Sequence, residues 1–172
     1  MKSLALVGFM GSGKTTVSFY LAKHYNLKQI SVDREIENST GKSVGEIFSE
    51  FGEKYFRELE HGEISRHLEE KCIFDLGGGA FIQKRNRNLL EKFAVKTVFL
   101  DVPFGLICRR LENERNTRPL LSGDNWKKKA LALLEERYGV YSKANICIRV
   151  KENDSALDIV SYIVKTLENE KS

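Results

Sequence analysis

The chain has little of what marks a secreted, fibrous or membrane-spanning protein. Its 172 residues include two prolines and three cysteines. No apolar run in them nears the length that crosses a bilayer. Pro103 and Pro119 both fall late, and no Ser/Gly-rich tract, internal repeat or low-complexity run interrupts the chain, so a single domain over residues 1–172 is expected. Cys72, Cys108 and Cys147 are odd in number, lack metal-ligand spacing and lie in apolar strand or helix patterns. Reduced packing thiols are expected there, with no disulfide or zinc site. An excess of charge is missing too: 28 Lys and Arg against 24 Asp and Glu leave a net +4, too weak and dispersed for a nucleic-acid surface. A small polyanionic ligand accounts for that balance equally well. Met1 and Lys2 lead straight into a strand pattern, which leaves no room for a signal peptide. The expectation is a cytoplasmic protein with neither a membrane nor a nucleic-acid partner.

What the chain does have is concentrated near its start. Residues 8 to 15 read GFMGSGKT, a Gly, four free positions, then Gly, Lys and Thr, directly after the apolar run LALV. A buried strand is expected before the loop. Residues 16 to 25, TVSFYLAKHY, carry no breaker, so a helix is expected after it, its positive end facing the loop. In that setting the glycines let backbone N–H groups surround phosphate oxygens, Lys14 adds a cation, and the Thr15 hydroxyl can reach Mg²⁺. Gly11, Ser12, Gly13, Lys14, Thr15 and Thr16 are the expected contacts to ATP.

Apolar β-rich runs recur at residues 3 to 9, 28 to 32, 72 to 76, 97 to 102 and 145 to 150, with helical patterns between them. Such alternation predicts parallel strands joined by right-handed crossovers, a three-layer α/β architecture with ligands at the carboxyl ends of the strands. From Ser43 to Leu68, apolar residues stand at helical spacings broken near Gly52, a helical insertion between the second and third strands. Residues 112 to 125, ENERNTRPLLSGDN, are polar and turn-rich and predict a loop able to act as a lid.

Taken in order, GFMGSGKT, VDREIE with TGKSVGEIF behind it, FRELE, DLGGGA, RPLL and ERYGVY resemble the shikimate kinases, phosphate-loop enzymes of the nucleoside-monophosphate-kinase-like group. The resemblance runs from about residue 4 to residue 150. It implies the strand order 2-3-1-4-5, which periodicity does not supply, a substrate-binding insertion at about 33–61 and a lid at about 112–125. It also implies ATP and Mg²⁺ as cofactors, phosphorylation of the shikimate 3-hydroxyl on the way to chorismate, and a monomer.

The resemblance assigns roles residue by residue. Asp33 matches the carboxylate that holds the sugar-acid hydroxyls and acts as base. It is also placed to cap a helix over REIENS. Arg57 and Arg137 match the pair that grips the substrate carboxylate, two forked cations on one anion. Glu60, three residues after Arg57, can hold that guanidinium from the same helical face. Gly77, Gly78 and Gly79 match the backbone that approaches the substrate hydroxyls. Arg118, before Pro119, matches the lid arginine that moves onto the transferring phosphoryl group, alongside Lys14. Arg110 aligns with the adenine-stacking position, with Arg109 and Arg115 close by. Lys127 to Lys129 read as a solvated helix face, and His24, His61 and His67 show no catalytic spacing.

One position departs from the family pattern. The first Asp of the family's Asp-x-Asp pair, which holds Mg²⁺ through water, is Ser31 here, whereas Asp75 stands at the end of the third strand. A hydroxyl is a weak partner for a hard dication. Two readings stay open: the carboxylate has moved from the second strand to the third, with Thr15 on the metal directly and Asp75 through water, or Asp75 only caps the glycine turn. Two alternative functions also stand, a kinase of another polyol acid such as gluconate, and a non-catalytic nucleotide-binding homologue.

Overall fold

The computed structural model describes residues 3–112, 121 and 123–170. In chain order the elements are β1 (Leu4–Val7), α1 (Lys14–Tyr25), β2 (Lys28–Ser31), α2 (Val32–Thr40), α3 (Val44–Arg66) and β3 (Cys72–Asp75). There follow a 3₁₀ turn (Ala80–Ile82), α4 (Lys84–Lys92), β4 (Lys96–Asp101), α5 (Phe104–Leu111), α6 (Trp126–Tyr141), β5 (Ile146–Arg149) and α7 (Ala156–Asn169). The five strands form one sheet in the order β2-β3-β1-β4-β5, and every pairing is parallel.

Burial follows from position in the sheet. All four residues of β1 and of β3 are buried, as central strands covered on both faces require. The edge strand β5 alternates buried and exposed residues. One expectation is corrected there: Cys72 is buried, but Cys147 is exposed on β5 and Cys108 is only half-buried, so packing accounts fully for Cys72 alone. Helix α1 packs on α7 and against β1, β2 and β3, while α3, α4 and α6 meet around the 3₁₀ turn. Phe9, Phe74, Phe99, Trp126 and Tyr141 fill the space between the layers.

Local chemistry sets the helix ends. Gly13 starts α1 at φ 89°, with no side-chain cap and no acid in the first turn. A helix start without a side-chain cap suits an anionic partner at its first-turn N–H groups. Helix α2 begins at Val32 after Ser31, so Asp33 is not the cap of REIENS but a first-turn residue, where the helix dipole favours its charge. Ser43 and Glu46 form a reciprocal capping box at the start of α3.

The predicted break in α3 falls on Gly52, whose φ is 79° and ψ is 169°. This region of backbone space is essentially restricted to glycine. The break redirects the half of α3 that carries Arg57 and Glu60. A Cβ at Gly52 would meet nothing within 4 Å, so a substitution there registers backbone strain alone. Gly52→Ala is expected to lower unfolding stability in urea by about 1–3 kcal/mol. A change below about 0.5 kcal/mol, the range of neutral surface substitutions, would show that the kink carries no strain.

Candidate active site

Parallel pairing brings the chemistry-bearing residues to one edge. Across β2 and β3, Ser31 is the register partner of Asp75, and across β3 and β1 Asp75 is the partner of Leu6, three residues before Phe9 of the phosphate loop. The two positions between which the sequence divides the metal-site chemistry are thus neighbours in the sheet. Asp75 is nine-tenths buried, and its Oδ2 accepts a hydrogen bond from Thr15 Oγ1 at 2.6 Å. The carboxylate of the third strand and the hydroxyl of the loop form a single polar unit.

The loop itself is built around three glycines at positive φ, Gly8 at 148°, Gly11 at 75° and Gly13 at 89°. At Gly11 even a methyl group would collide, since its carbon would lie 2.9 Å from Leu111 Cγ. Lys14 is buried, and its Nζ donates to the carbonyls of Gly8 at 3.0 Å and Phe9 at 2.9 Å and to Ser12 Oγ at 3.4 Å. A cation held in the concave side of the loop, beside an uncapped helix start, fits a bound polyphosphate. Thr16, next to Thr15 in the first turn of α1, is exposed. Arg110 donates from Nη1 to Gly11 O at 3.2 Å, which puts its guanidinium against the phosphate loop. Arg109 instead pairs with Glu152 at 3.4 Å. Arg118, Arg115 and most of the expected lid lie outside the described residues.

The second wall of the site is the backbone of Gly77, Gly78 and Gly79. A Cβ at Gly77 would lie 2.8 Å from both Asp33 Oδ1 and Glu60 Oε1, and one at Gly79 would lie 2.3 Å from Arg57 Nη2. Side chains are excluded because the acid and guanidinium groups already occupy that space. A Cβ at Gly78 would lie 3.4 Å from Met10 N and 3.6 Å from Gly8 O, so the glycine turn abuts the phosphate loop. Asp75 makes its identified bond to Thr15 rather than to this turn.

Glu60 has no solvent exposure. Its Oε2 accepts from Arg57 Nη1 at 2.8 Å and from Gln83 Nε2 at 3.2 Å. Glu53 holds the other side of the same guanidinium, with 2.7 Å to Nη2 and 3.1 Å to Nε. The rings of Phe48 and Phe56 lie 5.9 and 5.4 Å from its centre. Burial pushes the Glu60 carboxyl up to about 7, against the opposing pull of Arg57; Asp33 raises it further and Arg137 lowers it. Burial alone would lower the Arg57 pKa, but Glu60 and Glu53 outweigh it and the guanidinium stays charged.

Arg137, buried on α6, donates from Nη1 to Gly78 O at 3.4 Å, and the Tyr141 hydroxyl donates to the same carbonyl. Burial pushes the Tyr141 phenol up to about 12, so it remains a donor. Arg57, Gly79 and Arg137 open onto one cavity of about 530 Å³. A larger cavity, about 1070 Å³, lies by Leu4, Lys96 and Thr97 and contains none of these residues. Its size is no guide to the chemistry. Glu53, Gln83 and Tyr141 were not identified from sequence. Tyr141 had a signal, four residues after Arg137 on one helical face, whereas Gln83 acts through tertiary contact only.

A family model for shikimate kinase matches residues 10–168. The chain belongs to the shikimate kinase family. Relatives of that name from Nostoc punctiforme and Sulfurihydrogenibium are each 39% identical, over 97% and 96% of this chain and 91% and 98% of their own. A solved shikimate kinase from Acinetobacter baumannii, in complex with shikimate, superposes with a TM-score of 0.94 at 32% identity, covering 99% of this chain and 95% of that one. Membership of the shikimate kinase family agrees with the strand order and with the insertion between β2 and β3.

The Glu60 environment has a consequence for stability. A carboxyl whose pKa is higher folded than unfolded binds more protons in the folded state between the two values, so stability falls as pH rises from about 4.5 to about 7. Relative to Glu60→Gln, the native protein should lose on the order of 3 kcal/mol across that window. Urea unfolding of both proteins at pH 4.5, 6 and 8 measures it, and parallel stability curves would contradict it.

Proposed function

We propose that this chain transfers the terminal phosphoryl group of ATP to the 3-hydroxyl of shikimate, on the way to chorismate and the aromatic amino acids. The observation that carries this reading is the opening of Arg57, Arg137 and Gly79 onto one cavity whose glycine wall abuts the phosphate loop. A small acid whose carboxylate meets the half-buried guanidinium of Arg57 and the buried one of Arg137 would present its ring hydroxyls to that turn. Asp33 faces the same turn at Gly77, within reach of a hydroxyl proton.

In this reading Asp33 orients the attacking hydroxyl and takes its proton, while Arg57 and Arg137 hold the carboxylate and fix the ring. Glu60 and Glu53 keep Arg57 in place. Gly11, Ser12, Gly13, Thr15 and Thr16 cradle the phosphates with backbone N–H groups. Lys14 turns from the loop carbonyls to the phosphate oxygens, and Arg118 joins from the lid as charge develops. Arg110 stays at the nucleotide side. Thr15 and Asp75 would hold Mg²⁺, Thr15 directly and Asp75 through water. When bound, that ion neutralises β- and γ-phosphate charge. The reading takes the enzyme as a monomer. No described helix is long and apolar enough to cross a membrane, and the reading takes the enzyme as cytoplasmic.

The competing substrate is gluconate, also a carboxylate with hydroxyls but without a ring to fill the pocket. Shikimate should stimulate ADP release and gluconate should not. Asp33→Asn should abolish the shikimate-dependent turnover while ATP still binds. Equal turnover with gluconate would overturn the substrate, and near-normal turnover of Asp33→Asn would overturn the base.

A non-catalytic homologue draws its support from Ser31 alone, and the 2.6 Å contact of Thr15 with Asp75 supports a working metal site instead. Asp75→Ser should raise the Mg²⁺ concentration needed for half-maximal turnover, and Ser31→Ala should do so far less. Because Ser31 and Asp75 are sheet neighbours, Ser31→Asp in the Asp75→Ser background should restore part of the activity. Mg²⁺ titration of the native enzyme and the three variants measures the coupling. Unchanged Mg²⁺ dependence in Asp75→Ser would confine Asp75 to a structural role.

A further inference from the structure

Away from the nucleotide and acid pockets, a second cluster of metal-binding chemistry lies where α2 meets α3. Glu35 on α2 and Glu63 and His67 at the end of α3 each present one ligand atom, and the three atoms lie within 4.8 Å of one another. Glu63 and His67 are both more than nine-tenths buried. Glu63 and His67 are four residues apart and share a helical face.

The decisive feature is the state of the His67 ring. Its Nδ1 lies 3.2 Å from Glu70 Oε1, and a carboxylate there makes Nδ1 the protonated nitrogen. That leaves Nε2 as a lone-pair donor aimed into the cluster, 4.0 Å from Glu63 Oε2. Neither Nε2 nor that oxygen has a hydrogen-bond partner among the described residues. Arg66 Nη1 approaches the same oxygen at 3.0 Å, as an ion pair without hydrogen-bond geometry, from a side chain that is 62% exposed. Two buried electron-pair donors face each other across a gap too long for one hydrogen bond.

The geometry points to a structural site for a divalent transition cation of the Zn²⁺ type, ligated by Glu35, Glu63 and His67 Nε2. One imidazole with two carboxylates suits such an ion and does not suit Mg²⁺, which prefers oxygen and water in an octahedral shell. Tetrahedral bonds of 2.0 to 2.1 Å put ligand atoms about 3.3 Å apart, so the cluster would contract by about 1.5 Å or less. Arg66 would swing to solvent. Glu70 plays the outer-sphere part, fixing the tautomer of a ligating histidine through its second nitrogen. The ion would bolt α2, which carries Asp33 two residues before Glu35, to the half of α3 that carries Arg57 and Glu60. It would stiffen the acid pocket without touching substrate.

The site is independent of the proposed reaction and is tested without it. Chelator-treated full-length protein, free of nucleotide, is titrated with Zn²⁺ by calorimetry, and with Co²⁺ while visible absorption is followed. One equivalent should bind, Co²⁺ should develop the bands of a low-coordinate N/O site, and the thermal midpoint should rise with Zn²⁺ but not with Mg²⁺. Glu35→Gln and His67→Gln should abolish this binding, Glu70→Gln should weaken it about 10- to 100-fold, and Asp75→Asn should leave it intact. Glu35 is only half-buried, so Glu35→Gln keeps the test available if His67→Gln does not fold. Absence of one-to-one Zn²⁺ or Co²⁺ binding would overturn the site. So would binding that survives Glu35→Gln, or that disappears in Asp75→Asn, which would assign the ion to the phosphate loop.

Discussion

A carboxylate removed from water must either keep its proton or be given a cation, and Glu60 is removed completely. Arg57 answers it at 2.8 Å, and Arg57 is itself fixed from the other side by Glu53 and flanked by two phenylalanine rings. Breaking such a pair from either side strands a buried charge, which is far costlier than the pair is stabilising. The surrounding architecture follows from that constraint. The kink at Gly52 aims this half of α3 inward, and the glycine turn has no side chains because Arg57, Glu60 and Asp33 already fill the space beside it.

The same arrangement explains why the acid pocket and the phosphate loop share a wall. A Cβ at Gly78 would touch the loop backbone, and the Gly78 carbonyl accepts hydrogen bonds from Arg137 and Tyr141. Catalysis of phosphoryl transfer depends mainly on holding two anions in line while neutralising their charge. Here Lys14 and Arg137 are buried and Arg57 is half-buried, all three on helices, and a short stretch of glycine backbone lies between the phosphate loop and the proposed acid pocket. The parallel sheet supplies the remaining registration, because β1 and β3 end side by side and bring Thr15 to Asp75.

Much of this was legible in residue order. The phosphate loop, the alternation of strands with helices and the break near Gly52 rest on local rules of spacing and backbone freedom. The pairing of Arg57 with Glu60 rests on helical periodicity. The segment REIENS points to Asp33 as its cap, but Ser31 ends the strand and caps α2, which starts at Val32, two positions earlier than a cap at Asp33 would place it. Cys147 was misjudged because an edge strand shows one face to solvent.

By itself, then, the sequence determined the nucleotide loop and the α/β class, since these depend on chemistry within a few neighbouring positions, while the family resemblance rather than local chemistry named Asp33, Arg57, Arg137 and the three glycines for the proposed acid pocket. Tertiary structure alone decided which groups meet across long separations: Thr15 with Asp75, Gln83 with Glu60, Tyr141 with Gly78, and Glu35 with Glu63 and His67. Those contacts depend on strand register and on the angle between packed helices, and both are set by the burial of the whole core rather than by any local pattern.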